Sequence, residues 1–182
     1  MKSLTAFKLA EWIDKHRDQL RPPVCNQQVF EENDFIVMIV GGPNSRNDYH
    51  LDEGPELFYQ IEGRMVLRVV DDGERKDIAI GEGEMLLLPP RVPHSPQRFA
   101  NTVGLVVERK RLDHELDAFM WFCDNCDNCD NCDNCDNKLH EESVYVDDIV
   151  NQLPPIFDRF YSSMKNRRCD QCGTIMPKPD KS

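Results

Sequence analysis

The run ELFYQIEGRMVLRVVDDGERKDIAIGEGEMLLLPP, residues 56–90, decides the class of fold. It holds four short stretches rich in aliphatic, aromatic and β-branched side chains: Leu57–Ile61, Met65–Val70, Lys76–Ile80 and Glu84–Leu88. Between them stand Gly63, the Asp71-Asp72-Gly73 turn and the Gly81–Gly83 turn, and a proline-rich stretch from Pro89 to Pro96 follows. Loops this short can only return the chain beside itself, so the strands pair antiparallel. Outward from this run, Phe35–Val40 is a further strand-like stretch closed by Gly41-Gly42-Pro43-Asn44, and Val103–Glu108 is another. Short strands at regular spacing predict an all-β sandwich or barrel over about residues 28–110.

The ends read differently. In residues 4–20, Leu4, Phe7, Leu9, Trp12, Ile13 and Leu20 recur at about helical spacing, and Arg21-Pro22-Pro23 ends the run. After Arg111 the strand pattern fades, and residues 144–161 read as helical on both sides of Pro154-Pro155. The expected division is a barrel domain over residues 1–115, N-terminal helix included, and a C-terminal extension over 116–182.

With 182 residues, 40% of them hydrophobic, the chain can bury one ordinary core without disulfides. A formal net charge of −11 repels nucleic acid and anionic membranes, so neither is an expected partner. No apolar run suits a signal peptide or a bilayer span, which predicts a cytoplasmic protein. Eight cysteines in such a chain point to metal rather than disulfides. Cys25 stands alone and reads as a small buried hydrophobe. The others lie at CxxC spacing in the last third, five of them in a Cys-Asp-Asn triplet repeated over Cys123–Asn137.

Two stretches carry chemistry, Asp48 to Gly63 and Gly83 to His94. Glu56, Phe58 and Gln60 share one strand face, so either the carboxylate points inward or the aromatic points out. His94 follows the most apolar strand in a turn stiffened by Pro89, Pro90 and Pro93, which fixes its side chain. Asp48 and Asp52 flank His50 and read as loop polarity and turn formation.

The two stretches resemble the paired motifs of the cupin superfamily. His50, Glu56 and Gly63 fit the first motif, with Asp48 where its leading His would stand and one extra residue before Glu56. Gly83, Pro89 and His94 fit the second, with Arg91 in place of the inner Gly. Two His and one carboxylate on one face of a metal leave the opposite positions open, as in non-haem Fe(II) oxygenases. More narrowly, Arg21-Pro22-Pro23-Val24, Val40–Asn44, Asp48-Tyr49-His50, Phe58-Tyr59-Gln60, Leu87–Pro90, His94–Arg98 and Cys169–Gly173 resemble the 3-hydroxyanthranilate 3,4-dioxygenase family.

That resemblance covers about residues 8–175 and implies a jelly-roll (double-stranded β-helix) barrel with an N-terminal helix and a small helical, metal-knuckle extension. It implies Fe(II) held by His50, Glu56 and His94, with O2 and 3-hydroxyanthranilate as substrates and a homodimer as the assembly. Arg46 and Arg98 would grip the substrate carboxylate, Glu108 would accept a proton or hydrogen bond, and Asn26 and Phe58 match pocket positions. A second Fe or Zn would sit on two cysteine pairs, one being Cys169 and Cys172. The other pair is Cys123 and Cys126, which keep the upstream flank Trp121-Phe122, or Cys132 and Cys135, which lie nearest the second knuckle. A non-catalytic metal-binding cupin that senses a small carboxylate is the rival reading, and a zinc-ribbon interaction protein a third. The rival would tolerate loss of a ligand or an arginine, and none is missing; the third leaves His50, Glu56 and His94 unexplained.

Overall fold

The computed structural model describes residues 5–22, 25–31, 34–44, 46–126, 137–147 and 149–178. Leu4, Pro23 and Val24, and the Cys132 and Cys135 of the alternative metal pair, lie outside these residues. Two antiparallel sheets form the body. The five-stranded sheet has β1 (Asn26–Gln28), β2 (Phe35–Gly41), β9 (Val103–Arg109), β4 (Glu56–Glu62) and β7 (Met85–Leu88), in that order. The six-stranded sheet has β11 (Lys138–Val144), β10 (Asp117–Phe122), β3 (Asp48–Leu51), β8 (His94–Arg98), β5 (Met65–Asp71) and β6 (Glu74–Ile80).

The four strands expected over residues 57–88 are present with ends moved by one or two residues. Their inward positions build the core between the sheets. Met38, Val40, Phe58, Leu88 and Val106 come from one sheet and Met65, Leu67, Val69 and Ile80 from the other. Each such aliphatic or aromatic side chain contributes about 1.5–3 kcal/mol on burial. Buried polar residues, His50, Glu56, His94, Arg98 and Glu108 among them, line a cavity with several of these side chains.

The N-terminal helix α1 (Leu9–His16) is shorter than expected, and a 3₁₀ turn, Arg17–Leu20, completes the segment. Ile13 and Leu20 are buried against Ile39 and Val103. Phe7 stays outside the helix and packs on Phe30.

Two strands after Arg111 were not anticipated. In β10 all six residues are buried, so alternation is lost. Phe119 and Trp121 pack on the C-terminal helix α2 (Ile149–Ser162), while Ala118, Met120 and Phe122 pack with Tyr49. The edge strand β11 is largely polar and carries no apolar pattern. Because β10 pairs with β3, the chain beyond residue 115 completes a sheet begun before it.

Helix α2 runs through Pro154 and Pro155 instead of breaking there. Both prolines are exposed, where water can serve the carbonyls they leave unpaired. Leu153, Ile156, Phe157, Phe160 and Tyr161 recur at helical spacing and face Trp121 and its neighbours. The short helix α3 (Met164–Arg167) is capped by Ser163, whose side chain accepts from Asn166 N.

Candidate metal centre and cavity

His50 on β3 and His94 on β8 are register partners, which puts both rings on the inner face of one sheet. Their centroids are 5.3 Å apart. The Val92 carbonyl lies 3.1 Å from His94 Nδ1, so Nε2 is the atom aimed inward. Glu56 opens β4 in the facing sheet and brings Oε2 to 2.8 Å from His94 Nε2. Glu56, Phe58 and Gln60 are all buried, so carboxylate and aromatic both point inward.

Ligand atoms of His50, Glu56 and His94 all lie within 4.8 Å of one another. Glu56 Oε2 is shielded from water and accepts no well-formed hydrogen bond. A buried carboxylate oxygen in that condition is costly unless a cation meets it. Burial lowers the pKa of His50 and favours the neutral imidazole a metal requires. The three residues therefore fit a metal ion by donor type, convergence and charge.

One cavity is lined by these residues and by Asn26, Arg46, Phe58, Arg98 and Glu108. Met38, Val40, Asn44, Pro96, Val106 and Leu153 complete its wall and were not singled out from sequence. The edge of Phe58 packs on the His94 ring, with centroids 5.9 Å apart.

Arg46 forms a two-point ion pair with Asp48, its Nε donating to Oδ1 at 3.1 Å. Its guanidinium also lies 5.8 Å from the Phe157 ring centroid on α2. Arg98 is 4% exposed and donates to Gln60 Oε1 at 3.3 Å. Burial pushes the Arg98 pKa down to about 10, against the opposing pull of Glu56. Gly104 makes this placement possible, because a Cβ there would collide with the Arg98 guanidinium.

Glu108 is the register partner of Glu56 on the neighbouring strand. Burial and the Glu56 charge push its pKa up to about 8, while Arg111, 2.8 Å away, pulls it back. Asp48 is no loop residue: it is buried in β3 and holds Arg46. Asp52 does make its turn, accepting from Gly54 N at 2.8 Å, and it also lies 3.3 Å from Arg111. Arg111 and Asp117 escaped the sequence reading. They sit six residues apart beyond the legible strands, and no local pattern marks them.

Near the C-terminal end, Cys123, Cys126, Cys169 and Cys172 bring their sulfurs together within the same 4.8 Å limit. Cys126 and Cys169 are 3.4 Å apart and Cys123 and Cys172 are 3.6 Å apart. Gly173 takes a φ of +76° at the knuckle, a region open to glycine. The Cys172 N–H points at Cys169 Sγ at 3.4 Å, and hydrogen bonds from Thr174 hold the Cys172 thiol down at about 6. Thiolate character of this kind suits metal binding.

A family model described as 3-hydroxyanthranilic acid dioxygenase matches residues 1–161. A 3-hydroxyanthranilate 3,4-dioxygenase from Xanthomonas campestris pv. campestris (strain 8004) is 50% identical over 175 residues, covering 96% of this chain and 94% of that protein. A protein of the same name from Burkholderia cenocepacia is 45% identical, covering 94% and 92%. Among solved structures, a cupin-2 domain containing protein from Shewanella frigidimarina aligns at 18% identity. Its TM-score is 0.44, and the alignment covers 54% of this chain and 92% of that one.

Proposed function

Because the chain belongs to the 3-hydroxyanthranilic acid dioxygenase family, we propose that it opens the ring of 3-hydroxyanthranilate with O2 at an Fe(II) centre held by His50, Glu56 and His94. The product is 2-amino-3-carboxymuconate semialdehyde, which closes without enzyme to quinolinate and so feeds NAD biosynthesis. The observation that carries the residue assignment is convergence. Three metal-ligating atoms and three further charged side chains, Arg46, Arg98 and Glu108, meet in one cavity.

Two imidazoles and one carboxylate leave open positions opposite them, the donor set suited to Fe(II) and O2 chemistry. Held by His50, Glu56 and His94, Fe(II) would supply binding for the substrate's hydroxyl and amine and would let O2 react with the ring. The protein's part is orientation, charge and exclusion of water. Arg46 and Arg98 approach from β-strands of the six-stranded sheet and its loop, and their guanidinium groups can grip the substrate carboxylate with paired, charge-assisted donors. Arg46 must then share its donors between the ligand and Asp48. Glu108 accepts the proton of the substrate's hydroxyl or amine, a role for which its carboxylate faces the cavity beside Glu56. Phe58, Met38 and Val106 keep the cavity floor apolar.

For the second site we infer a structural Fe or Zn ion on Cys123, Cys126, Cys169 and Cys172, supported by sulfur convergence and by tetrahedral S4 chemistry. Cytoplasmic residence is part of the same reading, since a four-thiolate metal site needs its cysteines kept reduced. A homodimer is supported by the exposed apolar side chains Phe35, Met85 and Leu87 on the outer face of the five-stranded sheet.

The test is anaerobic Fe(II) reconstitution followed by 3-hydroxyanthranilate and air, with absorbance followed over time. Substrate loss with a decaying semialdehyde band, abolished in His50→Ala and Glu56→Ala, supports the reading. Iron bound with substrate intact would contradict it.

A further inference from the structure

Beside the metal ligands lies a buried charge cluster of which the reaction scheme uses only Glu108. Asp117, the first residue of β10, is 0% exposed and has Oδ2 2.6 Å from His50 Nε2. Arg111 holds that same carboxylate at two points, with Nε 2.9 Å from Oδ1 and Nη2 2.7 Å from Oδ2. The other Nη reaches Glu108 at 2.8 Å, and Nη2 also lies 3.3 Å from Asp52. One guanidinium, with its side chain 1% exposed, thus ties β9 of one sheet to β10 and the end of β3 in the other.

We propose that Asp117 and Arg111 are positioning residues for the metal centre: Asp117 fixes the His50 ring from behind, and Arg111 locks Asp117 and Glu108 into one frame. The inference rests on His50 being a metal ligand. Asp117 occupies Nε2 of His50 and leaves Nδ1 to the metal, and a carboxylate on the non-ligating ring nitrogen sets the tautomer and strengthens the imidazole as a donor. Phe119 supports the same ring from one face, stacked at 5.0 Å and 12°. With one ring nitrogen tied to Asp117 and one face on Phe119, His50 has no freedom to rotate. Arg111 keeps Asp117 an acceptor by supplying fixed donors to it. An unpaired carboxylate so deep in the protein would be expelled or protonated. The same guanidinium limits where the Glu108 carboxylate can sit, so both sides of the centre are set by one side chain.

The test compares Fe(II) affinity in the full chain, parent against Asp117→Asn and His50→Ala. Bound iron is read from the electron paramagnetic signal of its nitric oxide adduct. That adduct needs an open coordination position, so it reports this centre and not a closed four-thiolate site. Asp117→Asn keeps the volume and removes the charge. The expected result is a loss of affinity of ~10-fold or more, with a changed rhombicity of the signal and an unchanged circular dichroism spectrum of the metal-free protein. A merely structural role would lower the melting midpoint without moving rhombicity. A loss smaller than about fivefold, with the parent signal shape, overturns the inference. If His50→Ala also binds like the parent, the ligand assignment itself has failed. Should Asp117→Asn not fold, Asp117→Glu keeps the charge balance and displaces only the acceptor, and the same threshold applies.

Discussion

Glu56 and Glu108 face each other across adjacent strands, paired Cα to Cα between β4 and β9, and both carboxyl groups are buried in one cavity. Two like charges this close cannot both ionise freely. Glu56 stays ionised beside His94, and Glu108 takes the strain, with a pKa pushed up to about 8.

The sign of the pH dependence follows. The fold favours protonated Glu108, so its contribution to stability is fully present below its ordinary value of 4.5 and is lost as pH rises towards about 8. In metal-free protein, Glu108→Gln stays uncharged throughout. Its melting midpoint relative to the parent is therefore expected to climb over this pH window, as read by thermal scans. Saturating divalent metal should shrink the difference, because a cation lowers the pKa of a nearby carboxyl. A difference that stays constant with pH contradicts the arrangement.

Arg98 depends on a glycine. Gly104→Ala places a Cβ against its guanidinium and should raise KM for 3-hydroxyanthranilate by roughly 10–100-fold, as the loss of one charge-assisted contact would. Arg98→Ala should match it. Steady-state kinetics with 2-aminophenol, which lacks the carboxylate, should show little difference between parent and either variant.

The cysteine cluster is expected to serve stability and not turnover. Cys123→Ser or Cys169→Ser should remove the second metal, measured by elemental analysis, and lower the melting midpoint by roughly 5–10 °C. Activity per bound active-site iron should remain near the parent's. Replacing Cys132 and Cys135 by Ser should change neither metal content nor melting if Cys123 and Cys126 are the ligands.

Trp121 is fully buried and stacks on Phe160 at 4.1 Å and 11°, joining β10 to α2. Trp121→Ala should cost about 3–5 kcal/mol in denaturant unfolding. Because Phe157 on the same helix lies under Arg46, the variant should also weaken substrate binding.

These residues also mark what could be read from sequence. The strands over residues 57–88 were legible because their faces differ and glycines punctuate them. The candidate ligands His50, Glu56 and His94 were legible through their resemblance to the paired cupin motifs, and the fold brings the three together. Strand β10 was not legible because both its faces are buried, which erases the two-residue period. The Pro154-Pro155 pair suggested a break that exposure of both residues removes. Arg111 and Asp117 gave no signal, since only the pairing of β10 with β3 brings Asp117 to His50, and only the approach of the two sheets brings Arg111, after β9, to Asp117. Asp48 misled for a similar reason: a polar residue beside a turn can equally be a buried partner for Arg46.

The most direct test of ring opening at this centre is to supply ¹⁸O2 to the Fe(II)-loaded protein with 3-hydroxyanthranilate, and weigh the quinolinate that forms while recording oxygen uptake. Equal consumption of O2 and substrate, with one labelled atom kept in the new carboxylate, the aldehyde oxygen having left as water on closure, and none of this in Glu56→Ala, is the expected outcome. Product carrying no labelled atom, or substrate consumed without oxygen uptake, would contradict it.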